Sequence, residues 1–340
     1  GLLIFALLPS AIVGGNSALD MNSRFDRYVE ELFRQEVSAN TITLHYTVKD
    51  PESYGIQNPP VSCGYAGTDS ALICASAENA LASLHQFKRN KLSDYNKLTY
   101  DILEHSYTSS LEMGPYLLYE EPLTPLTGTQ AQLPILLSEY RFYNTDDIDT
   151  YLKLLTTIPD YFQSILTFEK AKSNAGLFMA SYVADDIITE CQTFATMKNN
   201  YLYATFDSLN LPAVTSEDYK KQNRDAVLNY VLPAFTFLSD GLQNLRDTGN
   251  NKRGLCYLPD GKKYYELSVK EQTGSARTIP QLQKLAQRQI QSDLLTMQKL
   301  LNNSSFHKNS EAHSGSVQGS SPGAASDLFK GHGTEFSSDD

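Results

Sequence analysis

The sequence predicts a mainly α-helical protein, an irregular multi-helix bundle with one short extended segment near its N-terminus. Three observations carry that expectation. Apolar residues recur at steps of three and four through most of residues 20–303, the spacing that turns one helix face toward a core. Clusters of Pro, Gly and Asn interrupt these runs and end helices. Several runs open on Asn or Thr followed by acids, which cap a helix and complement its dipole. At 340 residues, with 41% hydrophobic and 20% charged composition, a sizeable core is attainable.

The elements follow in order. Residues 1–15 (GLLIFALLPSAIVGG) are apolar and uncharged but shorter than the roughly 20 residues a spanning helix needs, so no stable transmembrane span is expected. Residues 1–18 read as a signal-peptide remnant lacking its Met and basic region, with Gly14, Gly15, Ser17 and Ala18 as cleavage positions. A buried N-terminal helix is the other reading. No Cys precedes Cys63, so a lipid anchor has no attachment residue here. From Asp20, the spacing of Phe25, Tyr28, Val29, Leu32, Phe33 and Val37 predicts a helix. Over residues 40–56 the period changes: Ile42, Leu44 and Tyr46 alternate with Thr41, Thr43 and His45, as in a short strand or extended segment.

Residues 70–87 and 92–113 read as a helix pair, and residues 114–134, with Pro115, Pro122, Pro125, Gly128 and Pro134, as a non-helical connector. Asn144 or Thr145 caps a helix opening on Asp146, Asp147 and Asp149 and running through Phe168, with a kink or break at Pro159. Those aspartates lack the Gly and final Glu of an EF-hand loop, so they serve the dipole. A second helix is expected over 177–206; within it Asp185 and Asp186 are solvated acids by default, and one that faces inward would need a partner. A third opens at Thr215 and runs to about Arg246, kinked at Pro233. Pro259-Asp260-Gly261 predicts a tight turn with Gly261 at positive φ. A short helix follows over 262–272. Thr278 then caps a last helix whose stripe is Leu282, Leu285, Ile290, Leu294, Met297 and Leu301. Residues 304–340 are Ser-, Gly- and His-rich without apolar period, either a flexible tail or a frameshifted or artificial end. The domains expected are thus the remnant 1–18, a helical domain 20–303 and the tail 304–340.

A net charge of −11 argues against nucleic-acid binding, which needs a basic face. The four cysteines, Cys63, Cys74, Cys191 and Cys256, are too scattered for a disulfide framework or a zinc knuckle; one pair could bond in an exported protein. The 21 tyrosines suit a groove lining and helix packing equally.

Three stretches carry a resemblance: Leu44-His45-Tyr46-Thr47, the run Gly128-Thr129-Gln130-Ala131-Gln132-Leu133-Pro134, and Leu258 through Tyr265 with Thr273-Gly274 beyond. Together they resemble the bacterial domain-of-unknown-function 885 family, whose members look like secreted or lipoprotein zinc metallopeptidases. The likeness covers residues 22–302 and is lost after Asn303. It implies the N-terminal half of a gluzincin-like helical metallopeptidase, a wall of a substrate channel, with the zinc-binding half downstream. On that implication Gln130, Asp260, Tyr264 and Tyr265 are candidates for a substrate groove, and no catalytic residue carries over. For the tyrosines, helix packing is the competing reading.

A hydrolytic zinc site needs two imidazoles one turn apart, as in His-Glu-x-x-His, and none of the six histidines is followed by Glu. No Gly-x-Ser-x-Gly, Walker loop or dinucleotide fingerprint is present. The expected cofactor is therefore none in this chain, with zinc implied for the full-length family. Two functions remain open: the inactive helical half of an exported zinc hydrolase, partnered by a peptide substrate or the missing C-terminal half, or a non-catalytic helical module binding peptide or protein. The first should expose a long apolar patch on its final helices.

Overall fold

In the computed structural model, which describes residues 20–207, 217–251 and 253–301, Asp20 opens the first helix. Its side chain accepts from the Asn22 and Ser23 amides and caps α1 (Met21–Val37), which buries Phe25, Tyr28 and Val37 as its spacing predicts. The expected strand over 40–56 is instead a helix, α2 (Thr41–Thr47). Asn40 decides this by accepting the Thr43 amide at 2.8 Å, an N-cap that starts a helical turn. The inward residues are Thr41 and Leu44, three apart, so the apparent alternation is one face of a short helix. The irregular stretch lies further on, at residues 59–69. There Thr41 and Ser62 exchange hydrogen bonds (the Thr41 amide to the Ser62 carbonyl, the Ser62 amide to Thr41 Oγ1, each 2.9 Å), and the Ala66 amide donates to Ser164 Oγ at 3.0 Å. No strand occurs among the described residues.

Helices α3 (Ser70–Leu84) and α4 (Asp94–Met113) form the predicted pair and pack with α1 around Phe25, Tyr28, Leu84, Phe87 and Tyr107. A 3-10 turn (Gly114–Tyr119) opens the connector, but its second part departs from expectation. Residues Thr129–Ser138 form α5 with Pro134 inside it. Proline there removes one intrahelical donor, and burial of Leu133, Pro134 and Leu137 offsets that loss.

The larger core is built by α6 (Thr145–Thr156), α7 (Ile158–Asn174), α8 (Ser181–Ala195) and α11 (Leu232–Leu245). Asn144 and Asp147 make a reciprocal capping box on α6, and Pro159 sits in the first turn of α7, so the chain breaks at Thr157. The helix expected over 177–206 is two, α8 and α9 (Tyr201–Asp207). Residues 177–180 are buried without helical structure ahead of them. Neither Asp185 nor Asp186 is buried, and Asp185 is held by Arg246, which grips both its oxygens, one contact at 2.7 Å. The helix α10 (Glu217–Ala226) passes into α11 through a π turn, Val227–Val231. That turn, and not a simple kink, is how Pro233 is accommodated: the Leu232 amide reaches back to the Val227 carbonyl just before the ring that lacks a donor. The Thr215 cap lies outside the described residues, as do the expected remnant 1–18 and the tail 304–340.

The turn before α12 (Gly261–Thr273) corrects one assignment, because Asp260, not Gly261, takes the positive φ, 53°. The chain forms two units, divided after Ala276. The second unit shows α13 (Ile279–Leu301), capped by reciprocal Thr278–Gln281 hydrogen bonds. It buries none of its residues, and Leu285, Ile290, Leu294, Met297 and Leu301 are exposed.

Phe235 is the hinge of the aromatic packing in the larger core, with ring centroids 4.9 Å from Phe162 and 4.4 Å from Phe194. Phe235→Ala is expected to lower unfolding free energy by about 3–5 kcal/mol in a denaturant titration, through lost transfer energy and an unfilled cavity.

Candidate functional site

The buried stripe of α7 runs Ile158, Phe162, Ile165, Glu169, Lys172 at steps of four and three. The same helical period that buries the first three therefore carries a carboxylate and an ammonium into the interior, and both residues are 0% exposed. Neither was picked out from the sequence. The signal was there: their spacing continues the apolar stripe past Phe168.

The connector comes to meet them. Lys172 Nζ donates to the Glu120 carbonyl at 2.8 Å and pairs with Glu121 Oε2 at 2.7 Å. The Glu120 carboxylate in turn accepts from the Tyr264 hydroxyl at 3.4 Å. The Tyr264 ring lies 5.0 Å from Tyr119 and 6.2 Å from Tyr116, and the Tyr119 hydroxyl donates to the Pro259 carbonyl. Lys270 Nζ on α12 pairs with Glu112 Oε2 on α4 at 2.6 Å. The result is a layered contact: α7, then the Glu120–Glu121 corner, then the first turn of α12.

Glu169 is the anomaly in it. Both its carboxylate oxygens lack a hydrogen-bond partner. Burial pushes its pKa up to about 7, Lys172 opposes the shift, and Glu121 adds to it. Burial also raises Glu120, and burial followed by the Glu120 charge raises the Tyr264 phenol. The group able to exchange a proton near neutrality is thus sealed away from solvent, beside a sealed ammonium.

The four residues expected to line a groove do not converge. Asp260 and Tyr264 stand at this layered contact, with Asp260 raising the Tyr119 phenol after burial. Tyr264 packs inward, whereas Tyr265, next in sequence, is 49% exposed. Gln130 is 3% exposed and its amide is spent elsewhere: Nε2 donates to the Thr124 carbonyl at 2.7 Å and to Glu190 Oε2 at 2.8 Å. The Gly128-Thr129-Gln130 run is the tightly held start of α5, since a Cβ at Gly128 would stand 2.2 Å from the Thr124 nitrogen. A Cβ at Gly261 would stand 1.8 Å from the Leu255 carbonyl oxygen, so glycine is required there for close approach.

Among the described residues no three His, Cys, Asp or Glu side chains are placed to hold a metal ion. His45 Nε2 accepts the Arg141 amide at 3.2 Å and its ring stacks 3.6 Å from Tyr140; burial lowers its pKa. His85 pairs with Glu104 at 2.9 Å, and His105 Nε2 is buried without a hydrogen-bond partner. All four cysteines are free thiols, Cys63 and Cys191 buried. The described residues do not fit a zinc centre; His307, His313 and His332 lie outside them.

The protein is thus a helical bundle in which α7, the Glu120–Glu121 corner and the start of α12 meet. The chain belongs to the family described as bacterial protein of unknown function (DUF885), whose profile matches residues 70–322. That match starts at α3, so Leu44–Thr47 lies ahead of it, and it continues beyond Asn303. Among solved structures the fold is similar to that of a protein from Colwellia psychrerythraea described as a "putative lipoprotein", with 14% identity and a TM-score of 0.58. The alignment covers 77% of this chain and 47% of that one, so this chain spans under half of its length. None of the curated proteins matches. Among the described residues no helix is long and apolar enough to cross a membrane.

Two substitutions probe this contact. Lys172→Met removes the donor from the Glu120 carbonyl and the partner of Glu121, and is expected to cost about 1–3 kcal/mol in a urea titration. Gly261→Ala forces the turn apart and is expected to cost a similar amount, about 1–3 kcal/mol, read as a lower unfolding midpoint.

Proposed function

We propose that this chain is the helical, substrate-enclosing part of a longer exported hydrolase of the zinc-metallopeptidase type, with the metal-binding His-Glu-x-x-His in further sequence. The observation that supports this reading most is α13. A 23-residue helix that carries a full apolar stripe suits a partner surface that covers the stripe. The 47% coverage of the solved relative fits it, because that protein has ample chain to cover such a face. In this reading the natural partner of the stripe is the C-terminal half. The layered contact at Glu120, Glu121 and Tyr264 then acts as a brace for the enclosure, and Tyr265, exposed beside it, is the residue of the pair able to meet a peptide.

The test has two parts: peptide and ester turnover by the purified chain with and without added Zn²⁺, and the coding sequence downstream of residue 301 read in all three frames. The expected result is no turnover by the chain alone, a His-Glu-x-x-His in the downstream sequence, and zinc-dependent turnover once that sequence is joined. Turnover by the chain alone contradicts the proposal. So does a downstream sequence without the motif, which would favour a non-catalytic binding module.

A further inference from the structure

We propose that Glu169, Lys172 and the Glu120–Glu121 corner form a proton-operated latch, which holds the connector at residues 114–125 against α7 while Glu169 keeps its proton and loosens it when the proton leaves. This inference does not depend on the hydrolase reading.

The geometry supplies each part. Lys172 is fully buried, and its ammonium meets the Glu120 carbonyl and Glu121 Oε2, both on the connector. Glu169 sits one turn back on the same face of α7, fully buried and with neither oxygen hydrogen-bonded. A protonated carboxyl tolerates that setting, whereas a carboxylate there carries a full charge without a donor. Its nearest cation is Lys172, so an ionised Glu169 competes with the connector for the one ammonium that fastens it.

The other groups around the latch leave that competition in place. The charges acting on Glu169 are Lys172 on its own helix and Glu121 on the connector. Glu120, behind them, is engaged by Tyr264 and feels Glu271 of α12. Lys170 points to solvent. The helix α11, packed along α7, brings one charged side chain, Asp240, and the π turn brings Tyr230; both are exposed. From α6 the charged residues Asp146, Asp149 and Lys153 are exposed, Asp147 is engaged in the capping box, and Tyr151 is buried among aromatic rings.

The sign follows from linkage. With the connector shut, burial holds the Glu169 pKa at about 7; with it open, water restores the ordinary carboxyl value of 4.5. Below both values Glu169 is protonated in either state, and the latch has its full strength. As pH rises between them, only the open form loses the proton, so opening becomes easier by up to about tenfold per pH unit. Above about 7 both forms are ionised and the effect levels off.

Amide hydrogen exchange on the full chain at about pH 5 and about pH 7.5, corrected for intrinsic rates, reads this directly. In the wild type, protection of the amides at residues 114–125 is expected to fall by at least about tenfold between the two conditions. Amides of α8 and α11 should hold theirs. Glu169→Gln, which cannot ionise, should keep connector protection equal at both. Lys172→Met, which has no ammonium to contest, should show weak connector protection at both. Flat wild-type protection overturns the latch, and so does Glu169→Gln following the wild type. Should the Gln variant fail to fold, wild-type protection of the connector in Lys172→Met would overturn it equally.

Discussion

A single desolvated ammonium ties the two halves of the candidate site together. Lys172 is fully buried, so its ammonium must be met by protein, and the two acceptors that meet it, the Glu120 carbonyl and Glu121 Oε2, belong to a segment more than fifty residues earlier in the chain. That requirement fixes where the proline-rich connector crosses the bundle. Once the corner at Glu120 is fixed, Tyr264 has an acceptor and a pair of aromatic neighbours, and the first turn of α12 has a place to dock. The sequence Pro-Asp-Gly-Lys-Lys-Tyr-Tyr is thereby explained as structure before it is explained as function. Asp260 takes the left-handed conformation, Gly261 allows the backbone to approach Leu255, and one tyrosine turns in while the other faces out.

The aromatic composition has the same logic. Tyr28 and Tyr107 are sealed in the core with their hydroxyls 3.5 Å apart, and Tyr151 stacks on Phe206. Tyrosine is used here as a large packing residue with a polar tip that is met inside the protein. Around Glu120 the same residue type brings a donor to a buried carboxylate. Other tyrosines face water, Tyr265 among them.

Much of this was legible in the sequence. The helices from Asp20 to Val37, the pair leading to Met113, the Asn144 cap and the break at Pro159 all follow from spacing and capping chemistry. What misled was short-range pattern without its tertiary setting. Thr41 to Tyr46 alternates like a strand until Asn40 caps it as a helix, and Pro134 reads as a helix breaker until the packing of its neighbours outweighs the lost donor. Pro233 ends no helix because the π turn before it takes up the misfit. Of the residues singled out in the sequence, Asp260 and Tyr264 stand at the layered contact, whereas the Gln130 amide is turned to Thr124 and Glu190, an orientation that no sequence pattern carries. Glu169 and Lys172 were readable as a continuation of the α7 stripe; charged residues at core positions look like helix surface unless the period is carried through.

The most direct measurement is the ionisation of Glu169 itself, followed by its side-chain carboxyl ¹³C signal in a selectively labelled chain through a pH titration. A midpoint near 7 is expected, because a carboxyl sealed without a donor resists ionisation even beside an ammonium. A midpoint at the ordinary carboxyl value of 4.5 would contradict it, placing Glu169 in contact with water and removing the constraint on which the arrangement of connector, α7 and α12 rests.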